Sequence, residues 1–165
     1  ARNSAQFDLR RLALPCQALG LTVSLAMIIK HGGDARHRRD GEMGHMELVG
    51  SVTGCDCIIV DDIIDTGRTL CAAANELLSY GARRVFSFAT HGLFNGDCAE
   101  AIEASPVEEV VVSNTIPLSA DVLRSCTKIR QVSVGKLLAE AISCIHTGAS
   151  VSSLFDPSKA TALLA

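Results

Sequence analysis

The 165 residues include no tryptophan and a single tyrosine. They therefore offer no aromatic platform on which nucleic-acid bases could stack. A formal charge of −3 points the same way, away from a nucleic-acid partner. No apolar run is long enough to cross a membrane, although 48% of the residues are hydrophobic and the mean hydropathy is +0.29. No basic, apolar and small-residue succession of a secretory signal opens the chain, and Ala1–Gln6 does not read as a natural beginning. Cys55 and Cys57 have no second pair with which to build a zinc site. The seven cysteines are an odd number, several within apolar segments, and read as small core residues of a cytoplasmic protein. No glycine-rich stretch ends in Gly-Lys-Ser/Thr, which excludes a Walker A loop. A single soluble domain without nucleic-acid or membrane partners is expected.

What the chain does contain is organised around Cys55–Tyr80. Cys55 and Cys57–Val60 predict a buried strand after Gly54, ended by Asp61 and Asp62. Asp65-Thr66-Gly67-Arg68-Thr69 then leads into an alanine- and leucine-rich helix over about Leu70–Tyr80. Strand, acidic edge, hydroxyl-bearing turn and helix start make one physical device. The free N–H groups of the turn and the helix dipole suit a phosphate, with Thr66 and Thr69 as hydroxyl donors. Gly67 allows close backbone approach to the anion. Carboxylates repel phosphate, so Asp61 and Asp62 call for a sugar diol or a divalent cation beside it. An ordinary acidic strand end followed by a threonine helix cap is the plainer alternative.

The remainder alternates helix and strand. A helix is expected over Asp8–Leu19, a central strand over Leu21–Ile29, and Lys30 at its end. His31–Met46 is charged and broken by glycine, the mark of a functional or solvated loop, and its Arg36, Arg38 and Arg39 suit a polyanion. Strands are expected over Arg84–Ala89, Val110–Ser113 and Ile129–Val134, and helices over Asp97–Glu103, Ala120–Ser125 and Val134–His146. That order predicts an α/β fold, a three-layer parallel sheet covered on both faces. Ligands in such sheets collect at the carboxyl ends of the strands, where Lys30, Asp61, Asp62, His91 and Asn114-Thr115 are expected to converge. His91 reads better as a strand cap than as a catalyst.

The stretch VDDIIDTGRT (Val60–Thr69) resembles the ribose 5-phosphate or phosphoribosyl diphosphate loop of type I phosphoribosyltransferases. ELVGSV (Glu47–Val52), the segment Phe88–Leu118 with its THG, LFNG and SNTIP turns, and Lys128–Phe155 with LLAEAI and SVSSLF resemble the C-terminal domain of ribose-phosphate pyrophosphokinases. The resemblance implies a type I phosphoribosyltransferase-like domain over residues 1–155 and a tail over 156–165, with the N-terminal domain absent from this chain. It implies transfer of the β,γ-diphosphate of ATP to ribose 5-phosphate, with Mg²⁺, in an enzyme that assembles as homo-oligomers, dimers or hexamers. Asp61, Asp62, Asp65, Thr66, Gly67, Arg68 and Thr69 would then hold ribose 5-phosphate, and Asp61 and Asp62 would carry the Mg²⁺. Lys30 would stabilise charge on the transferring phosphoryl group. Ser150, Ser152 and Phe155 would form an allosteric phosphate site.

Departures from the family's pattern keep other readings open. Arg68 replaces the second small residue of the turn. Gly32 stands where an arginine is expected two residues after Lys30, a charge that Arg36 or Arg38 would have to supply. A PDxGG segment is missing before the first helix. A non-catalytic regulatory or associated subunit of the same enzyme is the first alternative. A phosphoribosyltransferase acting on a base is the second, although no base-binding hood is found. A receiver domain would place its acid pair near the chain start, which is not the case here.

Overall fold

The computed structural model describes residues 22–30 and 46–155. Two short strands, β1 (Met27–Lys30) and β2 (Met46–Val49), pair antiparallel in a ribbon of their own. The parallel sheet follows, with β3 (Asp56–Ile64), β4 (Arg84–Gly92), β5 (Val107–Ser113) and β6 (Ile129–Val132) in sequential order. Helices α1 (Arg68–Ser79), α2 (Cys98–Ala104) and α3 (Ala120–Ser125) make the crossovers. Two compact units contain the described residues. Ala26–Val132 is one, and 22–25 with 133–155 belongs to the other, which carries α4 (Gly135–Thr147) and a 3-10 helix (Val151–Phe155).

Each crossover moves the sheet one strand onward, and parallel crossovers share one hand. Helices α1, α2 and α3 therefore pack on the same face. Leu70, Ala74 and Leu77 of α1, Ile102 of α2 and Val122 of α3 meet Val85, Ala89, Val110, Val112 and Ile129 in one core. Alternation sets this face, since residues two apart on a strand point the same way. On β4, Val85, Ser87 and Ala89 are buried, whereas Phe88 is exposed. The sheet is parallel and flanked by helices, which is the expected α/β class.

Two expectations need correction. The apolar run Leu21–Ile29 is no central strand, because among its described residues the strand is confined to Met27–Ile29 and pairs in the ribbon. Ile28 packs on the core while Met27 and Ile29 stay exposed, so one face alone of this run is used. Asp61 and Asp62 do not end β3 either. The strand runs through them to Ile64. The physical reason is that β3, among the described residues, pairs with β4 alone, so polar positions along it keep access to water. Strand β5 also begins earlier than expected, at Val107, and β6 ends at Val132. The expected helix Asp8–Leu19, the 31–45 loop and the tail lie outside the described residues.

Candidate functional site

Between β3 and α1 the chain makes the turn Asp65–Gly67, and every residue of Asp65–Thr69 except Gly67 is exposed. Helix α1 starts without a side-chain cap and without an acidic residue in its first turn. Its first N–H groups and its dipole thus face whatever approaches the turn. Gly67 takes the left-handed φ of 69°, and a Cβ there would lie 2.8 Å from Cys98 Sγ. Only glycine meets both conditions without strain. The arrangement can hold an anion, with Thr66 and Thr69 beside it.

The acid pair sits upstream on β3. Asp61 is half-buried, and its Oδ1 accepts the Asp62 N–H at 2.9 Å. Burial first, and then the neighbouring Asp62 carboxylate, raise the Asp61 carboxyl above the ordinary range. A hydroxyl donor or a cation would offset that cost. No group of three or more potential metal ligands occurs among the described residues.

A second turn, between β4 and α2, braces the first. The Leu93 N–H donates to the Ile64 carbonyl at 2.8 Å, and the Asn95 N–H donates to the Asp65 carbonyl at 2.9 Å. Asn95 Nδ2 also donates to Asp65 Oδ1 at 2.7 Å. Cys98 lies beneath Gly67 and is buried, with its thiol pushed up to about 12 by that burial. Burial likewise raises Cys57, Cys71 and Cys126, so these thiols stay protonated and behave as small apolar groups. All six described cysteines are free.

At the carboxyl ends of β4 and β5, His91 Nδ1 lies 2.8 Å from Thr115 Oγ1. Ser113 Oγ and Thr115 Oγ1 both donate to the Thr90 carbonyl, at 2.6 and 3.1 Å. His91 thus ties two strand ends together, in line with its expected capping role.

The structure brings Asp61, Asp62, Asp65, Thr66, Gly67, Arg68 and Thr69 into one strand–turn–helix segment. Lys30 ends β1 in the ribbon and not in the parallel sheet, and Arg36 and Arg38 lie outside the described residues. The Ser152 N–H donates to Ser150 Oγ at 3.3 Å at the start of the 3-10 helix that ends at Phe155. Asn95 and Cys98 are residues the sequence reading did not single out. No periodicity or spacing ties Asn95 to Asp65, thirty residues earlier.

Residues 34–156 match the family described as phosphoribosyl synthetase-associated domain. The chain belongs to that family. Relatives of the phosphoribosyl synthetase-associated domain seen here include a ribose-phosphate pyrophosphokinase of Shewanella oneidensis, 48% identical over 111 residues, 67% of this chain and 35% of that protein. A ribose-phosphate pyrophosphokinase of Burkholderia pseudomallei is 50% identical over 113 residues, 68% of this chain and 35% of that protein. Among solved structures, a phosphoribosylpyrophosphate synthetase from Mycobacterium smegmatis matches at 34% identity with a TM-score of 0.58. That match covers 63% of this chain and 34% of the other. It carries the type I phosphoribosyltransferase-like fold to this chain. The chain spans about a third of the length of the curated relatives it matches.

Proposed function

We propose that this domain binds ribose 5-phosphate in a ribose-phosphate diphosphokinase. The reaction joins the anomeric hydroxyl of the sugar to the β-phosphorus of ATP. The bond from that phosphorus to the α,β-bridging oxygen breaks, and AMP leaves. The observation that carries the reading is the exposed turn Asp65–Thr69 on the uncapped start of α1. Thr66, Gly67, Arg68 and Thr69 hold the 5-phosphate, and Asp61, Asp62 and Asp65 face the sugar hydroxyls. Lys30, with Arg36 or Arg38, supplies positive charge to the transferring group.

The residues present suit Mg²⁺, which takes one or two protein carboxylates and completes its shell with water and substrate phosphates. Asp61 and Asp62 are that pair, and the raised Asp61 carboxyl is the one a cation would relieve. Bound there, Mg²⁺ would neutralise phosphate charge. The proposed setting is a cytoplasmic homo-oligomer. No described helix is long and apolar enough to cross a membrane.

Titration calorimetry of the 165-residue chain with ribose 5-phosphate tests the reading. Heat with a dissociation constant in the millimolar range or below is expected. A folded sample giving no heat at millimolar sugar phosphate removes it. Gly32, in the place where the family pattern expects a cation, favours a second reading, an associated subunit that binds the sugar phosphate without turnover.

A further inference from the structure

We propose that Asn95 is a positioning residue for the sugar end of this site, acting through Asp65. The inference rests on the ribose 5-phosphate reading above. Asp65 is exposed at the start of the turn, where an unsupported carboxylate would rotate freely. One of its oxygens accepts from Asn95 Nδ2 at 2.7 Å, while its carbonyl accepts from the Asn95 N–H at 2.9 Å. A neutral amide orients the carboxylate without cancelling its charge. The remaining lone pairs stay available for hydroxyl donors.

The turn that presents Asn95 is itself tightly specified. Phe94, one residue earlier, is buried yet holds a left-handed φ of 51°. Such a backbone is uncommon for a bulky residue and persists where its surroundings enforce it. Here the ring occupies the space beside Gly92, where a Cβ would lie 2.4 Å from ring carbon Cε2. The Leu93 N–H completes the lacing by donating to the Ile64 carbonyl. A strained, buried residue thus aims an exposed amide at an exposed carboxylate. At metal sites, partners that fix the direction of a ligating group are worth about tenfold or more in affinity. The same size of effect is expected for a carboxylate held toward sugar hydroxyls.

Asn95 works on the hydroxyl side of the ligand, whereas the turn N–H groups and threonine hydroxyls work on the phosphate. That division supplies the test. Calorimetry with ribose 5-phosphate and with inorganic phosphate is run on the full chain and on Asn95→Leu, which stays close to the shape, loses the donor and adds no charge. Asn95→Ala serves as a second variant and Asn95→Gln as the conservative one. Circular dichroism confirms folding, and truncating an exposed side chain leaves no cavity.

Both donor-lacking variants should lose about tenfold in sugar-phosphate affinity, with inorganic phosphate changed by less than about twofold. Asn95→Gln should recover most of the loss. In an Asp65→Ala background, Asn95→Ala should have little further effect, because the two residues act as one unit. Unchanged sugar-phosphate affinity in Asn95→Leu overturns the inference and leaves the reading of the site intact. Equal loss of both ligands also overturns it, since Asn95 would then merely hold the turn. A wild-type chain that binds neither ligand removes the reading of the site and this inference together.

Discussion

Gly67 is the position where one atom decides whether the phosphate turn survives. Its φ of 69° penalises any side chain, and a Cβ would press on Cys98 Sγ at 2.8 Å. Gly67→Ala should therefore cost about 1–3 kcal/mol of stability and weaken sugar-phosphate binding as well. Urea unfolding of both proteins measures the first effect and calorimetry the second. Unchanged values would mean that the turn and α2 yield to the extra methyl.

A second residue governs acid behaviour. Arg83 and Arg84 both donate to Asp56, with Nη2 to Oδ2 distances of 2.6 and 2.5 Å. Their guanidinium groups hold its carboxyl well below the ordinary 3.8. The unfolded chain takes up this proton at the higher value. The stabilisation is complete above the ordinary carboxylate range and fades as pH falls toward the depressed folded value. Asp56→Asn should lower stability at neutral pH, and the difference from wild type should shrink between about pH 5 and pH 2. Melting temperatures across that interval check the sign. A gap that widens on acidification contradicts the assignment.

At the scale of elements, short helices depend on their ends. Helix α3 has six residues, and its start is fastened by Ser119, whose side chain accepts the Val122 N–H at 3.2 Å. Val122 is buried in the core, so the cap also secures a packing contact. Ser119→Ala should cost about 1 kcal/mol, and Ser119→Gly only a few tenths. Denaturant midpoints of the two variants resolve the difference. Helix α1 behaves differently, because its start lacks a side-chain cap while its buried Leu70, Ala72, Ala73, Ala74 and Leu77 hold it in place. Packing carries that helix and leaves its N–H groups to a ligand.

For the whole molecule, the 165-residue chain assayed as it stands should form little AMP from ATP and ribose 5-phosphate. It spans about a third of its curated relatives, and Gly32 withholds an expected cation. Turnover in the ordinary enzyme range of about 1–10³ s⁻¹ would contradict this. Should added protein restore activity, Lys30→Ala ought to lower kcat by about 10²-fold with less effect on KM.

The sequence by itself determined the local chemistry. The Asp65–Thr69 turn, the helix after it, the strand–helix alternation and the core place of Cys98, Cys126 and Cys144, though not of the exposed Cys55, were legible because each follows from neighbouring residues. Periodicity, glycine placement and side-chain type act over a few positions and need no distant partner. The tertiary structure decided the rest. The Leu21–Ile29 segment reads as a central strand until its pairing with Met46–Val49 is known. Asp61 and Asp62 read as a strand end until β3 is seen to run through them, paired on one side only among the described residues. Asn95 and Cys98 gained meaning only when the fold set them against Asp65 and Gly67. Contacts thirty residues apart leave no local pattern. They arise when sheet register brings two strand ends side by side, and that register is set by burial across the whole core.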